Sequence, residues 1–316
     1  MSVLATMFLV ALGPKHASAS PYDSSFARSE AIASRPRATV NKKPKSVARR
    51  PVALRMPSLA QKKLIKSIPA RVSSGFTPSV NGFSFANWST DVAEPTITIN
   101  TLIRLFGVGS TCESFDQGVC IPFKKALSLM DQLNVVLANG RCEGMVALAD
   151  ELFRHPQLLA RISSTGSGIS SLTPEETSNE IAYWWATQIM PKATKFAETS
   201  RTMSPAKIVQ TISRRLMKSS GTTLGMYFKG KGHSVLPIAV ARTRYAATIS
   251  VYDSNTPKMV QYVHVNLRTN TWRYRSVSAD GALLLNWHGR NSGGLDIVTP
   301  AARAIQSVTS FSQATP

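Results

Sequence analysis

The chain has 316 residues, 43% of them hydrophobic and 17% charged, which is an ordinary composition for a globular protein with a sizeable core. Its formal net charge of +20 is not ordinary. Apart from one apolar run near the N-terminus, no stretch approaches the roughly 18–20 apolar residues that a transmembrane helix needs. Neither a GxxxxGK[ST] loop nor a Rossmann glycine pattern occurs, which argues against a nucleotide cofactor, and we expect no cofactor of any kind.

Residues 1–20 have the pattern of a secretory signal peptide. The apolar run VLATMFLVAL is too short to span a bilayer, and Pro14 and the small-residue sequence Ala17-Ser18-Ala19 follow it. The usual Lys or Arg before the apolar run is missing. We therefore expect a protein that is secreted or that resides in the periplasm or cell envelope.

Residues 21–80 are predicted to form a basic, disordered segment or linker. Residues 1–80 hold 14 Lys and Arg against two acids, and their apolar positions keep neither helical nor strand periodicity for long. Charge alone would let this segment bind an anionic polymer or a membrane surface, and a solvated tether without a partner is the alternative. The segment has almost no aromatic residues between its charges, so we expect no specific nucleic-acid partner.

The three cysteines separate into a pair and a single residue. Cys112 and Cys120 flank the short polar loop ESFDQGV, and in an oxidising compartment we expect them to form a disulfide. Their seven-residue gap is not the short spacing of a zinc site, and we expect no metal. If these two pair, Cys142 is left as an intermolecular linker or a free thiol.

Helices are predicted for the first part of a domain that spans residues 81–300, with a tail at residues 301–316. Apolar residues recur at helical spacing within residues 121–140, and a second helix is expected to start at Cys142. A third helix is predicted to begin after Thr173, which serves as its N-cap, with Pro174 as its first residue. Glu176 would complete a capping box with Thr173. Ser204 and Pro205 begin a fourth in the same way.

Downstream of these helices the apolar period changes to that of strands. Short runs rich in Val, Ile, Tyr and Thr alternate with turn residues, and residues 268–271 are predicted to form a hairpin turn. The predicted strands are TTLGMYFKG, HSVLPIAVART, YAATISVYD, MVQYVHVNLR and TWRYRSV. Because helices precede strands without a repeating βαβ unit, we expect an α+β domain with a mainly antiparallel sheet.

Cys142 stands where a reactive thiol would be expected. The first turn of a helix offers free N–H groups and the positive end of the helix dipole, and both favour a thiolate. A buried structural cysteine is the alternative. Thiolate chemistry also needs a base and a group that orients it.

His233 is the best-placed base among the five histidines. It follows the glycine-rich turn KGKG and opens a strand, whereas His16 lies in the signal peptide, His155 ends a helix and His264 lies within a strand. His288, in a predicted late loop, is the second choice. If the next strand runs antiparallel, its end returns to His233, so that Asp253 or Asn255 would orient the imidazole, although YDSNTP is also typical of an Asx turn.

The three segments NGRCEGM, GHSVLPIAV and ISVYDSN together resemble the papain-like cysteine peptidase superfamily, and in particular exported bacterial relatives with GxCxGM and VYDxNxP elements. The resemblance covers roughly residues 100–300. It implies a papain-like fold, with helices packed on an antiparallel sheet and the catalytic cysteine at a helix N-terminus. It also implies Cys142 as nucleophile, His233 as general base and acid, and Asp253 as the orienting residue. The CGSCW motif of the papain subgroup is absent, as is its glutamine before the cysteine.

Because that glutamine is absent, another side chain must help to hold the oxyanion. Asn139 is our first choice, with Asn134 and Gln132 as alternatives and Asn255 as an auxiliary candidate. The expected activity is thiol-dependent hydrolysis of a peptide or amide through a thioester acyl-enzyme. Two alternatives stay open: an acyltransferase of transglutaminase type, and a catalytically silent domain that the basic segment tethers to an anionic surface.

Overall fold

Most helices of the chain precede most of its strands. The structure, a computed structural model, describes residues 57–89, 96–164 and 167–303. In chain order its helices and strands are α1 (Leu59–Lys66), β1 (Arg71–Ser73), α2 (Pro78–Asn81), α3 (Ile99–Phe106), α4 (Val108–Thr111), β2 (Cys112–Asp116), β3 (Val119–Pro122), α5 (Lys124–Leu137), α6 (Cys142–Arg154), α7 (Leu159–Ile162), α8 (Pro174–Ala186), α9 (Pro191–Arg201), α10 (Pro205–Met217), β4 (Thr223–Phe228), β5 (Lys231–Arg242), β6 (Ala246–Tyr252), β7 (Val260–Asn266), β8 (Thr271–Val277), β9 (Leu283–Arg290) and β10 (Leu295–Val298).

Eight of the strands form one antiparallel sheet in the order β10-β4-β5-β6-β7-β8-β9, with β1 paired to β5. The sheet curls, so that β4 and β9 also come into contact. The turn predicted at residues 268–271 connects β7 to β8 and contains Asn270 with φ of 51°. The predicted α+β class with a mainly antiparallel sheet is therefore confirmed.

The sheet buries apolar side chains on both of its faces. On one face α1 and α10 pack against side chains from β4 to β10, among them Trp272 and Tyr274. On the other face α6 packs over the start of β5 and the end of β6, where Leu236, Ile238 and Tyr252 are buried. The outward side chains of β7, β8 and β9 remain exposed to solvent, which is common for an antiparallel sheet.

The helix starts follow the capping signals of the sequence. Thr173 and Glu176 form a reciprocal capping box at the start of α8, with Pro174 as its first residue. Ser204 accepts a hydrogen bond from the backbone N–H of Lys207 at the start of α10. In both cases a local sequence pattern determines where the helix begins.

Gly144 explains how α6 approaches α8 so closely. A Cβ atom at this position would lie 2.1 Å from the carbonyl oxygen of Ile181 and 2.8 Å from Cβ of Trp185. Only a residue without a side chain fits there, because backbone atoms cannot move aside as the end of a flexible side chain can. The glycine thus fixes the position of the helix that begins with Cys142.

Three expectations from the sequence need correction. The folded unit begins at Pro57 rather than at residue 81: α1 and β1 lie within the segment predicted to be disordered, and Ile65 and Ile68 are core residues. The stretch around His288 is strand β9 and not a loop. Residues 301–303 belong to a 3-10 helix whose Arg303 is buried, so the tail does not start at residue 301. The signal-peptide prediction and residues 21–56 lie outside the described residues.

The predicted disulfide between Cys112 and Cys120 is present. It links the first residue of β2 to the second residue of β3 within a hairpin whose Phe115, Val119 and Ile121 are exposed. Structural disulfides persist in oxidising compartments. Within the described ranges, no helix is long and apolar enough to cross a membrane.

We expect Gly144→Ala to lower the free energy of unfolding by about 1–3 kcal/mol, because the added methyl group would overlap the backbone of α8. Gly109→Ala is the matched control, since nothing lies within 4 Å of a Cβ at that helical position and its φ is not positive. Urea unfolding of both variants checks this prediction. Equal stability of the two variants would contradict the close packing of α6 on α8.

Candidate active site

Cys142 is the first residue of α6 and the one free cysteine of the chain. The residue is half-buried. Gly140, with φ of 146°, allows the sharp turn between α5 and this helix. The first-turn N–H groups of a helix have no acceptor within the helix, so hydrogen-bond donors are available at the end of α6 where Cys142 lies.

His233 lies on β5, directly opposite Met226 of β4, and 6% of its surface is exposed. The Cys142 side chain lies close enough to the imidazole that its interaction with the ring helps to raise the pKa of His233. The ring Nε2 lies 2.9 Å from Oδ1 of Asp253, which follows the last residue of β6. Since Nε2 faces the carboxylate, Nδ1 is the nitrogen left for the thiol.

The antiparallel pairing of β5 and β6 brings His233 and Asp253 together. Leu236 of β5 is paired with Tyr252 of β6, so the residue after β6 returns to the level of the start of β5. Asp253 is completely buried there. The structure thus brings His233 and Asp253 into direct contact and Cys142 close to the imidazole, and we call these three residues the Cys142–His233–Asp253 line.

The buried carboxylate and imidazole shift each other's pKa in opposite directions. Burial alone would lower the pKa of His233, but the charge of Asp253 and the hydrogen bonds from Asp253 and Cys142 outweigh it, and the pKa stands well above 6.5. Burial alone would raise the pKa of Asp253, yet the charge of His233 and bonds from His233, Tyr274 and the Asn255 backbone lower it. The pair is therefore stabilised in its charged form.

Two aromatic residues complete the surroundings of the pair. The Tyr274 hydroxyl donates a hydrogen bond to Oδ2 of Asp253, and its ring lies nearly parallel to the imidazole with centroids 6.3 Å apart. The Trp287 ring stands perpendicular to the imidazole, also at 6.3 Å. Both rings keep water away from the His233–Asp253 hydrogen bond, which strengthens it. Nothing in the local sequence pattern pointed to these two residues.

Asn87 connects the cysteine to the aspartate turn. Its Oδ1 accepts a hydrogen bond of 2.7 Å from the backbone N–H of Arg141, next to Cys142. Its Nδ2 donates one of 3.1 Å to Oδ1 of Asn255, and the backbone N–H of Asn255 donates to Asp253. No signal in the sequence identifies Asn87, because it lies 54 residues before Arg141 in a stretch without periodicity.

The predicted oxyanion residues lie in different surroundings. The Asn139 side chain is exposed and its amide donates back to the carbonyls of Val135 and Val136 on its own helix. The Asn134 amide is buried and bonded to residues 96, 97 and 130, while Gln132 is exposed and bonds Ser128. Asn255 alone of these candidates is connected to the Cys142–His233–Asp253 line.

A buried ion pair anchors the first turn of α6. The Glu143 carboxylate accepts hydrogen bonds from the guanidinium of Arg303 and from the Thr223 hydroxyl of β4. Burial would raise the pKa of Glu143, but the charge of Arg303 and these bonds lower it overall. A charged, bonded pair of this kind holds the residue next to Cys142 against the sheet.

The other histidines of the described residues do not contact this line of residues. His155 shares a hydrogen bond with Glu151 at the end of α6, and His264 shares one with Thr248 on the exposed face of the sheet. His288 is exposed on β9 and packs against Phe228.

Comparison of the chain with protein-family models, curated proteins and solved structures gave no match. Within the part of the chain that the structure describes, no group of three His, Cys, Asp or Glu side chains is arranged to hold a metal ion. A functional interpretation therefore depends on the geometry of the residues described above.

We expect Asp253→Asn to lower the free energy of unfolding by about 3 kcal/mol, because it leaves a buried imidazolium without its counter-ion. The raised pKa of His233 contributes stability below about pH 6.5 that disappears as the pH rises through the folded pKa. The lowered pKa of Asp253 contributes stability above about pH 4 that disappears as the pH falls. The destabilisation should thus be greatest between about pH 4 and 6.5.

Urea unfolding at a series of pH values measures this effect. Asp116→Asn, at an exposed position of the β2–β3 hairpin, serves as the matched control and should change little at any pH. A loss for Asp253→Asn that is the same at pH 5 and pH 9 would contradict a charged His233–Asp253 pair.

Proposed function

We propose that the protein is a thiol-dependent hydrolase that cleaves a peptide or other amide through a Cys142–His233–Asp253 triad. The observation that carries the proposal is the buried His233 imidazole, hydrogen-bonded to the fully buried Asp253 carboxylate and close to the half-buried Cys142 at the start of α6. A nucleophile, a base and an orienting group in this order are what thiol catalysis requires.

The first half-reaction forms a thioester. At the start of the reaction the proton of the Cys142 thiol lies on Nδ1 of the charged His233 imidazole, and the thiolate sulfur attacks the carbonyl carbon of the substrate. The resulting tetrahedral oxyanion collapses when His233 gives the proton to the leaving nitrogen, which departs as an amine. Asp253 keeps its charge throughout and stabilises the imidazolium that forms in each step.

The second half-reaction returns the enzyme to its starting state. His233 takes a proton from water, and the hydroxide attacks the thioester carbon. The C–S bond then breaks, the carboxylic acid product leaves, and the Cys142 thiolate is restored beside the His233 imidazolium. An amine in place of water would give an amide instead. That outcome is the acyltransferase alternative, and competition between amines and water for the acyl group distinguishes the two.

The oxyanion would be held at the N-terminus of α6. The backbone N–H of Cys142 lies in the first helical turn, where donors have no acceptor within the helix. Asn87 is a better second donor to the oxyanion than Asn139. Its Nδ2 lies beside Gly140, 3.4 Å from where a Cβ of that residue would be. The hydrogen bond to Asn255 uses only one of the two Nδ2 hydrogens, so the other can be donated. The Asn139 amide is bonded to its own helix.

The proposal includes a papain-like arrangement of the domain and export of the protein. A cysteine at a helix N-terminus, packed against an antiparallel sheet that presents the histidine and the aspartate, supports that arrangement. The Cys112–Cys120 disulfide is compatible with an oxidising compartment. Binding of the basic N-terminal segment to an anionic polymer or membrane surface remains a proposal, since most of that segment lies outside the described residues.

We predict that iodoacetamide at neutral pH alkylates Cys142 at least about tenfold faster than it alkylates glutathione, because His233 removes the thiol proton. His233→Ala should reduce the rate to that of glutathione. His264→Ala, which removes an exposed histidine of β7, should leave the rate unchanged. The rates are measured by peptide mass spectrometry.

Alkylation of Cys142 at the glutathione rate in the unmodified protein would favour the catalytically silent alternative. The same conclusion would follow if His233→Ala and His264→Ala reacted equally fast.

A further inference from the structure

The outward face of strands β7, β8 and β9 carries an unusual set of side chains. His264, Arg273 and His288 are direct cross-strand neighbours in one row. Tyr262 lies two residues before His264, Arg275 two residues after Arg273, and Arg290 two residues after His288. All six side chains are exposed, and we call this surface the Arg–aromatic face.

Acidic residues are absent from this part of the sheet. None of the strands β1, β5, β6, β7, β8 and β9 contains Asp or Glu. Between residues 254 and 295 the only acid is Asp280, in the turn between β8 and β9, against five Lys and Arg. An ordinary solvated sheet face mixes both signs of charge, so the composition here favours a negatively charged partner.

The three arginines of the face make no ion pair within the described residues, whereas other arginines of the fold do. Arg104, Arg154, Arg201 and Arg303 each contact a carboxylate. Arg273 and Arg275 are two residues apart on one strand, and therefore about 6.8 Å apart along it. Their guanidinium groups are free to bind phosphate oxygens bidentately.

Aromatic rings lie between these charges. The Tyr262 and His264 rings are nearly parallel, with centroids 6.4 Å apart and planes 24° from parallel, and Tyr262 is 46% exposed. The His288 ring lies across Arg273 from His264. Positive charge alone would attract any polyanion. Exposed rings between arginines are in addition the arrangement on which the bases of a single strand stack.

We infer that the Arg–aromatic face binds single-stranded nucleic acid without sequence specificity. The arginines contact the phosphates and the rings stack on the bases. The basic N-terminal segment lacks such rings, so this surface and that segment are different binding elements. The inference does not depend on the proposed hydrolase activity, because none of the six residues belongs to the Cys142–His233–Asp253 line.

Fluorescence anisotropy of the full chain with a labelled oligothymidylate of about twenty nucleotides tests the inference. The first variant is Arg273→Gln/Arg275→Gln/Arg290→Gln. For this variant, the slope of the logarithm of the association constant against the logarithm of the salt concentration should decrease in magnitude by about 2. Three phosphate contacts are lost, and each contributes about 0.7 to the slope. Lys124→Gln/Lys192→Gln/Lys195→Gln removes the same charge from exposed helix positions and should leave the slope unchanged.

The second variant, Tyr262→Thr/His264→Thr/His288→Thr, keeps all three arginines. It should bind oligothymidylate at least about fivefold more weakly, since each stacked base contributes to the affinity. Its binding of heparin, a polyanion without bases, should not change. Tyr262→Thr alone provides the same comparison if the triple variant does not fold, and near-ultraviolet circular dichroism checks the fold of each variant.

Every variant retains the basic N-terminal segment, so its contribution is the same throughout. The inference is overturned if the unmodified chain does not bind oligothymidylate, or if the arginine variant loses no more than the lysine control. The inference is also overturned if the Tyr262→Thr/His264→Thr/His288→Thr variant binds oligothymidylate as tightly as the unmodified chain, or if it loses as much affinity for heparin as for oligothymidylate. Either result would identify a surface that binds any polyanion.

Discussion

The buried carboxylate of Asp253 is the interaction on which the rest of the site depends. Its two oxygens accept hydrogen bonds from the His233 imidazole, the Tyr274 hydroxyl and the backbone N–H of Asn255. These donors come from β5, β8 and the turn after β6, so one side chain connects three parts of the sheet. A buried charge is tolerated only when it is paired and fully bonded, and the curled sheet satisfies that condition here.

Burial decreases in order along the line from Asp253 to His233 to Cys142. The orienting group is completely enclosed, the base is nearly so, and Cys142 is the one of the three residues that is only half-buried. This gradient follows from the packing of α6 across the sheet, which Gly144 and the Glu143–Arg303 pair hold in place. A rigid base behind an accessible nucleophile is the preorganisation that catalysis needs.

The sequence predicted the parts of this arrangement that local rules determine. Capping signals located α8 and α10, the change of period located the strands, and antiparallel pairing suggested Asp253 beside His233. Long-range contacts left no local signal: Asn87, Tyr274 and Trp287 reach the site from distant elements. The helix α1 was missed because its apolar face consists of only a few residues, Ile65 among them, within a stretch dominated by basic and polar side chains. The rows of the Arg–aromatic face depend on strand register, which periodicity does not determine.

Trapping of an acyl-enzyme tests the central claim most directly. The protein is mixed with p-nitrophenyl acetate, quenched in acid at successive times and mapped by peptide mass spectrometry. The account predicts an acetyl group on Cys142 that forms quickly, disappears with time, and is nearly absent in His233→Ala. Acetylation confined to lysines, or acetylation of Cys142 at the same rate in His233→Ala, would contradict it.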